Sequence, residues 1–224
     1  MKKGFTLAEV LITLAIIGIV AALTIPTVVH KYQQKAQYTA FMKMYNMIQN
    51  VFQLTTVENG SFKSWVLSSD LEPDELFNTY LAPYLKIASS EDLPTYTTRH
   101  LDGAELGAFN VLTGASPGHT TKNYILQDGS TIAMAAWISN IDYRGGQIVL
   151  VIDTNGKKGP NVVGRDIFDI EITGENANRD YNIRSLEETG DDNDACSVTG
   201  SGGANHIKGI GCADRLLKEG KMDY

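Results

Sequence analysis

The longest apolar stretch of the chain runs from Phe5 to Val29, 25 residues in which Glu9 is the one ionisable side chain. As an α-helix it extends about 37 Å at about 1.5 Å per residue, more than the roughly 30 Å hydrocarbon core of a bilayer. Polar residues then enter without a helix break: His30, Lys31, Gln33, Gln34, Lys35 and Gln37. Beyond them Tyr32, Ala36, Ala40, Met44, Met47, Val51 and Leu54 recur at steps of three or four, beside a row of Phe41, Tyr45, Ile48 and Phe52. This period predicts a helix with one broad apolar face, suited to lying on the sheet of a globular head. A coiled-coil seam is the other arrangement it allows. Asn59-Gly60 supplies a stop, giving about 54 helical residues and roughly 80 Å. Pro26, inside the apolar half, predicts a kink or a locally melted turn.

Further along, Ser69-Asp70-Leu71-Glu72 before Pro73 reads as a capping box that opens a second, shorter helix through about Tyr84, with Pro83 near its end. The pattern then turns to strands. Residues 122–127 and 130–137 flank Asp128-Gly129, a pair favoured in two-residue hairpin turns, and so predict an antiparallel pair. Gln147 to Asp153 and Asp166 to Ile172 supply two more strands. Residues 174–206, rich in Gly, Asn and Asp and including Glu187-Glu188 and Asp191 to Asp194, predict a surface loop. Ala213 to Glu219 predicts a short closing helix. The whole is α+β: a long N-terminal helix laid on an antiparallel β-sheet head with a short second helix.

Composition narrows the function. A length of 224 residues suits a single head. The formal net charge is −7 and no Lys/Arg cluster follows the first residues, so nucleic acid is not an expected partner. Cys196 and Cys212 lie close together with no His or Cys at metal-ligand spacing beside them. That favours one disulfide in an oxidising compartment, two free buried thiols being the alternative. A bridge over so short a loop contributes about 3 kcal/mol in the chain-entropy picture.

Lys2 and Lys3 precede the apolar run, which by the positive-inside rule leaves the N-terminus cytoplasmic and the remainder outside. Glu9 is the anomaly, since a carboxyl in a membrane helix costs about 2.5–3.5 kcal/mol at mid-bilayer and less toward the interface. It can reach the cytoplasmic head-group region. Alternatively it is a buried partner for a cation: a cut after Gly4 would create an α-amino group on Phe5, which Glu9 of a neighbouring chain could pair with. A cleaved secretory signal needs a small-residue site after the apolar region, and Ala21-Ala22 could serve, but Glu9 inside the run and the lack of a polar stretch before that site stand against it. A plain signal anchor is the remaining rival. A lipoprotein is excluded, because no cysteine directly follows the apolar segment.

Gly4-Phe5-Thr6-Leu7-Ala8-Glu9 followed by an apolar helix resembles the processing site of type IV prepilins and type II secretion pseudopilins. The resemblance covers roughly residues 1 to 55. It implies cleavage between Gly4 and Phe5, N-methylation of Phe5, Glu9 as the acidic partner in assembly, and Pro26 in the place of a proline found down the family's helix. It divides the chain into a leader (1–4), a transmembrane and assembly half of the helix (5–29), an amphipathic half (30–59) and a pilin-like α+β head (60–224). Loss of the leader takes the formal charge from −7 to −9. The implied partners are copies of the chain and other pilin-like subunits, prepilin peptidase, the inner-membrane assembly machinery and membrane lipid. The implied location is the bacterial inner membrane, single-pass with the head outside, then a periplasmic or cell-surface filament.

The head carries one suggestive oxygen-rich pattern, Asp153-Thr154-Asn155-Gly156, then Gly159-Pro160-Asn161 and Gly164-Arg165-Asp166. Asp153, Asn155 and Asp166 are candidate calcium ligands. It is no EF-hand, with glycine fourth in place of sixth and no closing glutamate. A long turn in which Asp and Asn side chains bond their own backbone and Gly supplies positive φ is the favoured explanation. Some major pseudopilins resemble this chain in holding calcium in a head loop; no other cofactor is implied. Catalysis has little support: His30, His100, His119 and His206 are scattered, and Gly200-Ser201-Gly202-Gly203 follows no predicted strand. Trp65 and Trp137 are expected in the core. The expectation is therefore a structural subunit, not an enzyme, leaning to the type II secretion side because the head shows no long repetitive adhesive surface. The rival is an exported ligand-binding or enzymatic domain with the helix as a tether.

Overall fold

The computed structural model describes residues 4, 6–62, 73–92, 96–108, 122–137, 147–174, 182–184, 196–199 and 207–224. Helix α1 spans Leu7–Asn59 as one element, starting at a Thr6 cap. It continues through Pro26 with no turn lost from the helix, so the melted turn is not adopted. Proline there removes only the amide that would bond the Ala22 carbonyl, and neighbouring turns keep theirs. Thr24 Oγ1 also donates to the Val20 carbonyl at 2.9 Å.

The C-terminal half of α1 is what the head is built on. Phe41, Met44, Ile48, Val51, Phe52 and Thr55 are buried, a stripe at steps of three and four. Tyr32 and Leu54, expected on this face, are instead 73% and 52% exposed, Tyr32 because the helix residues packed on the head's core begin only at Tyr38. Each such buried aliphatic or aromatic side chain contributes about 1.5–3 kcal/mol, enough to fix the helix against the head. Lys43 Nζ to Asp128 Oδ2, 2.5 Å, adds an exposed clamp of little energetic weight.

Helix α2 (Pro73–Tyr80) runs into a 3-10 turn at Ala82–Tyr84, so the second helix ends a turn earlier than expected. Its supposed capping box at 69–72 lies outside the described residues. Asp74 Oδ1 accepts from the Lys122 amide at 2.8 Å and from Tyr124 Oη at 3.3 Å, and Phe77 stacks on Tyr124 with centroids 3.9 Å apart.

The main sheet has six strands: β1 (Ile87–Asp92), β4 (Lys122–Leu126), β5 (Thr131–Trp137), β6 (Gln147–Asp153), β7 (Ile167–Thr173) and β8 (Asn182–Arg184), in the order β1-β4-β5-β6-β7-β8. Every neighbouring pair is antiparallel. Strands β2 (Thr97–Arg99) and β3 (Glu105–Ala108) form a small separate pair. Strands β1, β2, β3 and β8 were not expected, and β8 interrupts the stretch read as loop. The β4–β5 hairpin also corrects the expected turn. The Gly129 amide bonds the Leu126 carbonyl and the Leu126 amide bonds the Ser130 carbonyl, both at 2.9 Å, which makes a three-residue loop. Gly129 at φ +87° takes its left-handed position.

Strand alternation splits the core. Ile132 and Met134, Ile148, Leu150 and Ile152, and Phe168, Ile170 and Ile172 face α1 in one cluster, with Phe41 and Phe168 at 4.6 Å. Ala133, Val151 and Ile167 on the opposite face join Val163, Ile207 and Ile210 in a second cluster. Helix α3 (Cys212–Glu219) closes the chain. Trp65 and the Trp137 side chain lie outside the described residues.

Candidate functional site

The first candidate is the N-terminal segment. Thr6 sits in an extended conformation (φ −78°, ψ 153°) and caps α1. Glu9 Oε2 accepts from the Thr6 amide and from Thr6 Oγ1, each at 2.8 Å, while the Glu9 amide donates to Thr6 Oγ1 at 3.3 Å. Two amides that helix geometry would orphan are thereby satisfied. Glu9 thus has an intramolecular task that reading it only as a head-group or intersubunit carboxylate overlooked. The signal was present: Thr6-Leu7-Ala8-Glu9 has the Thr-x-x-Glu spacing of a capping box. Gly4 lies just outside the helix; Phe5, Lys2 and Lys3 are outside the described residues.

From Leu7 the helix projects as bare apolar surface. Leu7 is 80% and Ile19 64% exposed, and α1 is long and apolar enough to cross a membrane. A soluble head would not leave such a stripe in water.

The second candidate is the loop between β6 and β7. Asp153 Oδ1 accepts from the Asn155 and Gly156 amides at 3.0 and 2.8 Å, and Asp153 Oδ2 from Tyr96 Oη at 2.7 Å. Asp166 Oδ1 accepts from the Val162 amide at 2.7 Å, and its Oδ2 from the Asn161 amide at 2.8 Å and Asn155 Nδ2 at 3.1 Å. The structure therefore does bring Asp153, Asn155 and Asp166 together. Both carboxyls are fully buried. Burial pushes Asp153 up to about 7 against its hydrogen bonds, with the Asp166 charge adding to the rise, and burial raises Asp166 likewise. Each carboxylate oxygen already has a donor, the geometry of a self-bonded turn. Among the described residues no group of three or more His, Cys, Asp or Glu side chains is placed to hold a metal. A calcium ion would have to displace amides from those oxygens. The expected result is a melting temperature unchanged by a chelator; a rise of several degrees on adding calcium would show that the ion wins that exchange.

This loop is pinned to the C-terminal end. Cys196 and Cys212 are bonded to each other. Gly164, at φ +86°, lies so close that a Cβ there would meet Cys212 Sγ at 2.7 Å. Tyr224 Oη donates to the Gly164 carbonyl at 2.7 Å, and Arg215 lies 5.3 Å from the Tyr224 ring centroid.

Of the four scattered histidines, His30 and His100 lie among the described residues. His100 Nδ1 accepts from the Lys208 amide at 3.2 Å. His30 lies on α1 facing the C-terminal tail, across a groove shared with Arg165 and Tyr224. His119, His206, Gly200 to Gly203 and the acidic runs at 187–188 and 191–194 lie outside the described residues.

Comparison with known families divides the chain in two. A family model described as the prokaryotic N-terminal methylation motif matches residues 1–25. A second, described as a family of unknown function (DUF6613), matches residues 27–185. No curated protein and no solved structure matches. The N-terminal match is the type IV prepilin-like cleavage and methylation signal, and it ends one residue before Pro26.

Proposed function

The chain belongs to the DUF6613 family of unknown function and carries a prepilin-like methylation motif, and from these we propose that it is a structural subunit of a type II secretion pseudopilus or a type IV pilus. The observation that carries this reading is the capped helix itself. A processing signal is followed directly by an apolar helix, exposed from Leu7 through Val20, whose far end is locked into the head's core. One rod thus serves first as a membrane span and then as a packing surface for other copies. Lys2 and Lys3 orient the precursor with its head outside. Prepilin peptidase removes Met1 to Gly4, Phe5 is methylated, and the freed amine pairs with Glu9 of a neighbour in the filament core. The disulfide suits an oxidising compartment.

Intact-mass measurement of the chain purified from a host with active prepilin peptidase tests the processing step. The expected species begins at Phe5 and is one methyl group heavier than the bare sequence. An unprocessed chain retaining Met1 to Gly4 would overturn the proposal and leave the helix as a tether.

A further inference from the structure

A groove opens where α1 enters the head, lined by His30, Gln33, Gln34 and Gln37 of the helix and by Arg165, Met222 and Tyr224. No Asp or Glu side chain is among these residues. Asp166, next to Arg165, points inward to the amides of Asn161 and Val162. Asp223, between two of the lining residues, is held by Lys221 and by Arg215. The Arg165 guanidinium has no ion pair among the described residues.

On the helix side the charge is one-sided. In a chain of net charge −7, the 48 residues between Glu9 and Glu58 contain no Asp or Glu, and Lys31 and Lys35 flank the groove on α1. A guanidinium without an ion pair among the described residues, an imidazole and side-chain amides around one opening make a donor set for a phosphate or carboxylate.

Position selects between anions. From Leu7 to Val29 the helix rises about 34 Å at about 1.5 Å per residue, slightly more than the roughly 30 Å hydrocarbon core. His30 therefore stands at the level of the phosphates, and the groove opens within the next two turns. We propose that this groove seats the phosphate of a membrane phospholipid headgroup, holding the head down on the bilayer until the subunit leaves for the filament. The proposal rests on the membrane-spanning reading of α1. Arg165 supplies the charge-assisted contact, and the glutamines donate to the remaining oxygens. Release of the lipid accompanies extraction, so the contact works against premature departure.

The full-length chain is reconstituted into phosphatidylcholine vesicles containing phosphatidylglycerol, extracted in mild detergent and examined by native mass spectrometry. The wild type is expected to retain one phospholipid. Arg165→Gln should lower that occupancy about tenfold, the factor one charge-assisted contact is worth. His30→Gln, on the exposed helix where folding is not at stake, should lower it less. Lys43→Gln removes a charge from the same helix away from the groove and should retain lipid as the wild type does. Flotation with the vesicles should be equal for all four, which separates failure of this contact from failure of the helix to insert. Equal lipid retention by wild type and Arg165→Gln would overturn the proposal. So would inorganic phosphate occupying the site of a wild-type chain that keeps no lipid, which would make it a free-anion site.

Discussion

A Glu9→Gln chain is expected to be made, inserted and capped as the wild type is, and to give no assembled filament. The geometry makes this substitution more informative than alanine. Glu9 Oε2 closes the capping box on Thr6, and a glutamine oxygen can accept the same two bonds. What glutamine lacks is the negative charge needed to pair with a freed α-amino group on a neighbouring Phe5. Breaking one partner of a buried ion pair costs about 3–5 kcal/mol, which raises the subunit concentration needed for assembly by between about a hundredfold and several thousandfold. Thr6→Ala makes the complementary change: it removes the hydroxyl, keeps the carboxylate and costs about 1 kcal/mol of capping, so filaments should form at reduced yield. Filaments counted by electron microscopy, with membrane-fraction immunoblots for the precursor, give the readout. Wild-type filament levels from Glu9→Gln would reduce Glu9 to a capping residue.

How far the chain could be read in advance depended on whether a signal was local. The long helix, the β4–β5 hairpin, β6 and α3 each advertise themselves in a window of a few residues by period, length or turn chemistry. The Cys196–Cys212 pair was legible because no other cysteine competes. Strand β1 was not: Ile87-Ala88-Ser89-Ser90-Glu91-Asp92 has no apolar alternation, and it is a strand only because β4 offers it an edge. Strands β2, β3 and β8, three or four residues each, likewise exist by pairing rather than by propensity. The Asp128-Gly129 turn was recognised but its length was not, because the Asp128 carboxylate bonds Ser130 at both its amide and its hydroxyl and draws that residue into the loop's closure. The loop acids were seen, and their spacing alone could not tell a metal cage from a self-bonded turn. The groove at Arg165 was illegible, since residues 30–37, 165 and 222–224 meet only once the head is folded.

Strand β7 is where pattern and packing disagree most, and it yields the largest stability effect. Its sequence, Ile167-Phe168-Asp169-Ile170-Glu171-Ile172-Thr173, alternates like a strand with one wet face, yet all seven residues are buried. Asp169 is fully buried and neither carboxylate oxygen has a hydrogen-bond partner. It lies opposite Val151 in the register, on the side of the sheet that bears Ala133, Val151 and Ile167. Burial pushes its carboxyl up to about 7, against about 3.9 in an unfolded chain. The folded state therefore holds a proton that the unfolded state has released between those values. Stability from this group is fully present below about pH 4 and falls as pH rises through about 7, by roughly 4 kcal/mol at most, at about 1.4 kcal/mol per unit. Asp169→Val replaces the carboxyl by an apolar, β-branched group of similar size in an apolar cluster. It should stabilise the head by about 3 kcal/mol at pH 8, and the gain should shrink steadily toward pH 5 as the wild type takes up its proton. Asp169→Asn keeps the shape and a buried polar group but does not titrate, so it should remove this residue's share of the pH dependence without the full gain. Thermal melts of the full chain in detergent between pH 5 and 8, with the disulfide intact, compare the three. A wild-type pH slope persisting unchanged in both variants would place the titrating group elsewhere, with Asp153, also raised to about 7, the next carboxyl to replace.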